Sequence, residues 1–157
     1  MITHFPDNPS LRVVNGTEPE PAIRLLVIDD DHNDQEFLLR HLRKAKISDH
    51  ILFIDDGRLA LKLLAKEDVQ EKVFAVFLDL NLNGMSGLEI LRTIRATPNL
   101  SRLPVIIISG STDPEERAEC QRLKATSFIS KPISFQTFCM AIANVFHRPF
   151  EDAATKH

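Results

Sequence analysis

The chain alternates between short runs that are apolar throughout and longer stretches in which apolar residues recur every three or four positions. Leu25-Leu26-Val27-Ile28, Val73 to Leu78 and Val105-Ile106-Ile107-Ile108 have no polar break, which suits strands buried on both faces, as in a parallel sheet. The shorter runs His50 to Ile54 and Ser127-Phe128-Ile129-Ser130 read as two more strands. A helical stretch follows each run. Phe37, Leu38, Leu42 and Ala45 mark the first helix, entered through Asp31 or Asn33 as cap. Leu59, Leu63 and Leu64 mark the second, which ends near Lys66, and Leu88, Leu91 and Ile94 the third, which starts at a Ser86–Glu89 capping box and stops at Pro98. Asp113-Pro114-Glu115-Glu116 opens the fourth as an N-cap, a first-turn proline and a capping-box acid. Its main apolar residues are Ala118 and Leu123, so light packing is predicted. Ser134 caps the fifth, with Phe135, Phe138, Ile142, Val145 and Phe146 on one stripe and Pro149 as its stop.

Strands alternating with helices require a parallel sheet with right-handed crossovers. The predicted fold is therefore α/β, a flavodoxin-like (βα)5 doubly wound parallel sheet with strand order 2-1-3-4-5. Residues 1–22 hold four of the nine prolines and show no period, so they read as a flexible N-terminal arm. The domain spans 23–148, and 149–157 form a polar C-terminal tail.

Composition narrows the function classes. A net charge of -3 over 157 residues gives no basic face for nucleic acid. No apolar run reaches the length of a membrane span, and the first residues lack the core of a signal peptide. Cys120 and Cys139 have neither disulfide-framework nor zinc spacing, which fits reduced thiols in the cytoplasm. With no Trp or Tyr, an aromatic-rich carbohydrate or peptide groove is not expected.

The chemistry gathers at the carboxyl ends of the predicted strands. Asp29, Asp30 and Asp31 follow the first, Asp79 the third, Ser109 the fourth and Lys131-Pro132 the fifth. In the 2-1-3-4-5 order those ends border one crevice. Clustered carboxylates repel one another unless a cation lies among them, and hard oxygens favour magnesium. Asp30 and Asp79 are the expected direct ligands, Asp29 binds directly or through water, and the backbone carbonyl of Asn81 can add another oxygen. Lys131 and Ser109 can meet phosphoryl oxygens. A carboxylate flanked by metal, ammonium and hydroxyl is equipped to accept a phosphoryl group. Taken singly, these residues are ordinary capping acids, a turn serine and a solvated lysine; the joint pattern is what points to Asp79 as phosphoacceptor.

Over residues 23–148 the sequence resembles a response-regulator receiver domain of two-component signalling, of the stand-alone type. The resemblance rests on Asp29-Asp30, Asp79, Gly87 eight residues beyond it, Ser109 and Lys131-Pro132. It implies that Asp79 is phosphorylated from a phosphohistidine on a sensor histidine kinase or histidine phosphotransfer protein, with Mg2+ bound, and that the chain is no enzyme in the ordinary sense. It also implies that Ser109 moves towards the phosphoryl group and that Phe128 is a rotameric switch. Phe128 stands where tyrosine is commoner, Ser109 where threonine is, Asn83 where many receivers have proline, and Lys124 where glycine is frequent. Asn83 predicts a less rigid loop after Asp79. With no output domain attached, signalling would run through protein surfaces. The chain also resembles, more loosely, the small receivers partnered with phytochrome-type kinases. Such receivers often pair through the fourth and fifth helices, where Phe135, Phe146 and Phe150 are candidates.

Other readings fit less of the sequence. An aspartate-nucleophile phosphatase of the haloacid dehalogenase type matches Asp29-x-Asp31, but His32-Asn33 stand where Gly-Thr is expected and there is no cap region. A phosphorylation-independent pseudo-receiver is disfavoured by the intact Asp30, Asp79, Ser109 and Lys131. A flavin-phosphate loop is excluded by the repulsion of Asp29 to Asp31.

Overall fold

The computed structural model describes residues 11–13, 24–44 and 50–155, with side chains over 24–44 and 50–145. Its parallel strands are β2 (Leu25–Ile28), β3 (Ile51–Ile54), β4 (Ala75–Asp79), β7 (Val105–Ser109) and β8 (Ser127–Ser130). A short strand β1 (Leu11–Val13) precedes them, and a two-stranded hairpin of β5 (Asn81–Leu82) and β6 (Met85–Ser86) follows β4. The main sheet runs β1-β3-β2-β4-β7-β8. Without β1 this is the predicted 2-1-3-4-5 order, every neighbouring pair parallel.

Successive residues of each central strand point to opposite faces, and both faces are apolar. Leu26, Ile28, Leu52, Ile54, Val76, Leu78 and Ile107 pack on one side. That side carries α2 (Gly57–Leu64), α3 (Glu67–Lys72), α4 (Gly87–Ala96) and α5 (Pro114–Arg122). Val27, Phe53, Phe77, Ile106 and Ile108 pack on the other, under α1 (His32–Lys44) and α6 (Phe135–Thr155). The Phe77 and Phe138 rings stack there with centroids 4.4 Å apart. This double burial is why the strands read as unbroken apolar runs. No described helix is long and apolar enough to cross a membrane.

Several local expectations change. Leu11–Val13, in a stretch with no visible period, pairs antiparallel with β3, Leu11 opposite Ile54 and Val13 opposite Leu52. Three residues are too few for alternation to be legible; the rest of the expected N-terminal arm lies outside the described residues. An unpredicted helix, α3, has Val69 as its one buried residue, too little for a period. On α1 the buried stripe is Gln35, Leu38, Leu39 and Leu42, while Phe37 is 41% exposed. Its ring instead meets His41, which stacks on Phe135; Ala45 lies outside the described residues. On α5 the anchor is Cys120, the helix's one buried residue. α6 continues past Pro149 to Thr155, so the expected polar tail is helical there. Proline removes its own N–H from the ladder and crowds the carbonyl four residues back, and flanking turns can carry a helix across it at a cost.

Candidate functional site

The helices around the crevice start where their capping residues dictate. Asp31 Oδ1 accepts from the N–H groups of Asn33, at 2.9 Å, and Asp34, at 3.2 Å, so Asp31 rather than Asn33 caps α1. Ser86 Oγ accepts from Leu88 N at the head of α4, and Asp113 caps α5 with Pro114 behind it. Gly87 opens α4 hard against β4: a Cβ there would stand 2.4 Å from the Asp79 carbonyl oxygen. Glycine is therefore the residue that lets α4 begin beside Asp79.

The strand ends converge as predicted. β2, β4, β7 and β8 are consecutive in the sheet, and beyond or at their ends stand Asp29 with Asp30, Asp79, Ser109 and Lys131. Carboxylate oxygens of Asp29, Asp30 and Asp79 lie within 4.8 Å of one another. Lys131 Nζ donates to Asp79 Oδ2 at 2.8 Å and is 3.3 Å from Asp29 Oδ2. It is also 2.9 Å from Asp34 Oδ2. Asp79 Oδ1 accepts from the Asn81 N–H at 3.0 Å, and Asp30 Oδ2 from the Asn83 N–H at 2.9 Å.

Electrostatics follow from burial and crowding. Asp29 and Asp79 are both almost fully buried. Burial pushes the Asp29 carboxyl up to about 7, and the neighbouring Asp79 carboxylate adds to this, against the Asp31 N–H and Lys131, which favour the charged form. Burial alone would lower the Lys131 ammonium, but the hydrogen bond to Asp79, the ion pair with Asp34 and the Asp29 charge raise it above the ordinary lysine range, so it stays cationic. One ammonium therefore serves several carboxylates, and burial with a like-charged neighbour leaves one of them with its carboxyl raised. That shortage of positive charge, with three oxygen donors in mutual reach, fits a hard divalent cation such as magnesium.

Ser109 is fully buried. Its hydroxyl accepts from the Ser111 N–H at 3.0 Å, and its carbonyl from the Lys131 N–H at 2.9 Å. In register, Asp79 faces Ile108, so Ser109 lies one residue beyond it on the adjacent strand. Phe128 is apart from the acidic group, opposite Ile107 in β8, half-buried against the α4–α5 side. The Arg117 guanidinium lies 4.7 Å from its ring centroid, a cation–π distance. Two contributors escaped sequence analysis. Asp34 is not among the candidates there, and the Asn83 contribution is a backbone N–H that a proline lacks. The Asn83–Asp30 bond and the β5–β6 pairing both fall in the loop predicted to be less rigid.

Residues 25–143 match the family described as the response regulator receiver domain. Among relatives, chemotaxis protein CheY-3 of Vibrio cholerae is 28% identical over 123 residues, covering 78% of this chain and 92% of CheY-3. The solved structure of the bacteriophytochrome response regulator RtBRR is 28% identical, with a TM-score of 0.65, covering 80% of this chain and 78% of that one. The Mn(2+)-bound form of response regulator Rcp1 shares the fold at 23% identity and a TM-score of 0.64, covering 79% of this chain and 91% of that one.

Proposed function

We propose that this chain, which belongs to the response regulator receiver domain family of two-component signalling, takes a phosphoryl group onto Asp79. The donor is a phosphohistidine on a sensor histidine kinase or histidine phosphotransfer protein, and a phytochrome-type kinase is favoured by the likeness to RtBRR. The observation that carries the proposal is the buried Asp79 carboxylate held 2.8 Å from Lys131 Nζ, with Asp29 and Asp30 beside it.

A carboxylate oxygen of Asp79 bonds to phosphorus as the phosphorus–nitrogen bond to the donor imidazole breaks, and the imidazole keeps the electron pair. Lys131 neutralises charge on the transferring oxygens, and Ser109 donates to one of them once its hydroxyl turns from Ser111. Asp29, Asp30, Asp79 and the Asn81 carbonyl would hold magnesium. Bound there, the ion supplies charge neutralisation at the acceptor. The chain is a phosphoacceptor that promotes only its own phosphorylation and dephosphorylation, not a turnover enzyme. Its two free thiols fit a cytoplasmic setting.

Output runs through surfaces. Phe128 has no hydroxyl, so packing and the Arg117 contact must distinguish its two rotamers. Pairing of two copies through α5 and α6 is part of the proposal, with the half-buried Phe135 as a contact; the side chains of Phe146 and Phe150 lie outside the described residues.

The test is intact mass after incubation with Mg2+ and acetyl phosphate. A single gain of about 80 Da, absent in Asp79→Asn and without magnesium, is expected. No gain from acetyl phosphate or from a cognate phosphohistidine donor overturns the proposal in favour of a phosphorylation-independent binding module.

A further inference from the structure

Lys131 contacts carboxylates from separate parts of the chain. Its ammonium bridges from Asp79 Oδ2, at 2.8 Å, to Asp34 Oδ2, at 2.9 Å, with Asp29 farther off at 3.3 Å. The Asp34 side chain is a quarter exposed and sits in the first turn of α1. It is not the cap there, since Asp31 accepts the first-turn N–H groups, that of Asp34 included. Its carboxylate is turned across the crevice to the β8–α6 loop. A lysine head on a four-carbon stem has many rotamers, and one contact leaves most of them open. Contact with two carboxylates leaves fewer of them.

Phosphorylation changes one of those two contacts. When Asp79 becomes an acyl phosphate it loses its carboxylate charge, and the hold of Lys131 on the Asp79 oxygen weakens. Asp29 and Asp30 are committed to the acidic cluster. Asp34 lies outside that cluster and its carboxylate is unchanged by the reaction. It is the contact that stays constant while the ammonium passes from an Asp79 oxygen to a phosphoryl oxygen.

We propose that Asp34 is a positioning residue for phosphoryl transfer, acting through Lys131 by anchoring its ammonium beside Asp79. This rests on Asp79 being the phosphoacceptor. The role differs from that of a salt bridge that merely ties α1 to the β8–α6 loop, because it predicts an effect on rate carried by Lys131.

The experiment compares wild type, Asp34→Asn, Asp34→Glu, Lys131→Ala and the Asp34→Asn/Lys131→Ala double variant. Uptake from acetyl phosphate is followed by intact mass at fixed magnesium and ionic strength. Tm is measured on the metal-free proteins. Asp34→Asn is expected to slow uptake about three- to tenfold, consistent with loss of orientation of one charged group. Asp34→Glu should recover part of the rate. The double variant should be no slower than Lys131→Ala, and the Tm loss from Asp34→Asn should vanish in the Lys131→Ala background. The proposal is overturned if Asp34→Asn keeps the wild-type rate, even with a coupled Tm loss, for Asp34 is then only a staple. It is also overturned if Asp34→Asn slows Lys131→Ala by the same factor, or if its Tm loss persists without Lys131. No uptake by wild type from any donor overturns the phosphoacceptor proposal itself, and this inference with it.

Discussion

Replacing Gly87 by alanine tests whether the start of α4 is wedged against the acceptor strand. The added Cβ would lie 2.4 Å from the Asp79 carbonyl oxygen and 2.6 Å from Leu80 Cα, where real Cβ contacts essentially never fall below 3.0 Å. The helix start and the strand end must separate by about 0.6 Å or more, and close-packed interiors resist such moves. Neither obstacle is a side chain that could swing away. Asp79 is paired with Ile108 of β7 at the end of a strand that runs between β2 and β7, and the Gly87 N–H is bonded to the Leu80 carbonyl at 2.9 Å. Overpacking of this kind costs ~1–3 kcal/mol, and for a chain of this size each kcal/mol lowers Tm by ~2–4 °C. A fall of about 2–12 °C is expected. Because the displaced backbone carries Asp79, the 2.8 Å contact with Lys131 should be disturbed as well, slowing phosphoryl uptake about tenfold. Thermal melts followed by circular dichroism, with acetyl phosphate uptake measured by intact mass, check both effects. A Gly87→Ala protein with wild-type Tm and wild-type uptake would refute the wedge.

Other perturbations probe separate features. Unfolded, Asp29 releases its proton near 3.8, whereas folded it holds it to about 7. The folded state therefore binds the extra proton between those values, and metal-free stability from this group falls as pH rises from about 4 to 7. Melts in chelator should show that slope and its loss in Asp29→Asn; an unchanged slope would exclude Asp29 as its source. Lys124 has φ 60 just past the end of α5, where glycine costs least, so Lys124→Gly should stabilise by ~0.5–1 kcal/mol, read as a rise in Tm. Arg95 donates to four carbonyls, those of Ser101, Leu103, Leu123 and Lys124. Arg95→Ala should cost ~1–3 kcal/mol in denaturant unfolding. Arg95→Lys should recover only part of that loss, since an ammonium lacks the planar fork.

What could be read from the chain, and what could not, divides along physical lines. Four of the five parallel strands were legible because burial on both faces leaves an uninterrupted apolar run, as in Val105 to Ile108; the fifth, β8, is apolar only at Phe128 and Ile129. The convergence of Asp29, Asp30, Asp79, Ser109 and Lys131 was legible because strand order alone places those ends together. Phe37 was misplaced because a ring at the border of a helical stripe can turn either way. Here it turns to His41 rather than into the sheet. Asp34 carries a charge that the α1 dipole already accounts for, so nothing local indicates that it reaches Lys131, 97 positions along the chain. The Asn83 bond to Asp30 belongs to the backbone, and backbone bonds between loops leave no mark on residue type.

The antiparallel strand Leu11–Val13 has a consequence for how copies of this molecule can meet. It lies on the outer side of β3 and occupies hydrogen-bonding positions that would otherwise face solvent. An open strand edge is a template for another chain, and covering it with a segment of the same polypeptide is one way proteins avoid sheet-to-sheet growth. The boundary at β8 is different: Ser127 and Ser130 are exposed and Phe128 and Ile129 are half-buried. On the β3 side the edge of the sheet is thereby shortened to the three residues of β1, and a very short edge strand offers a neighbouring copy little to pair with, whereas β8 presents four residues at the other border.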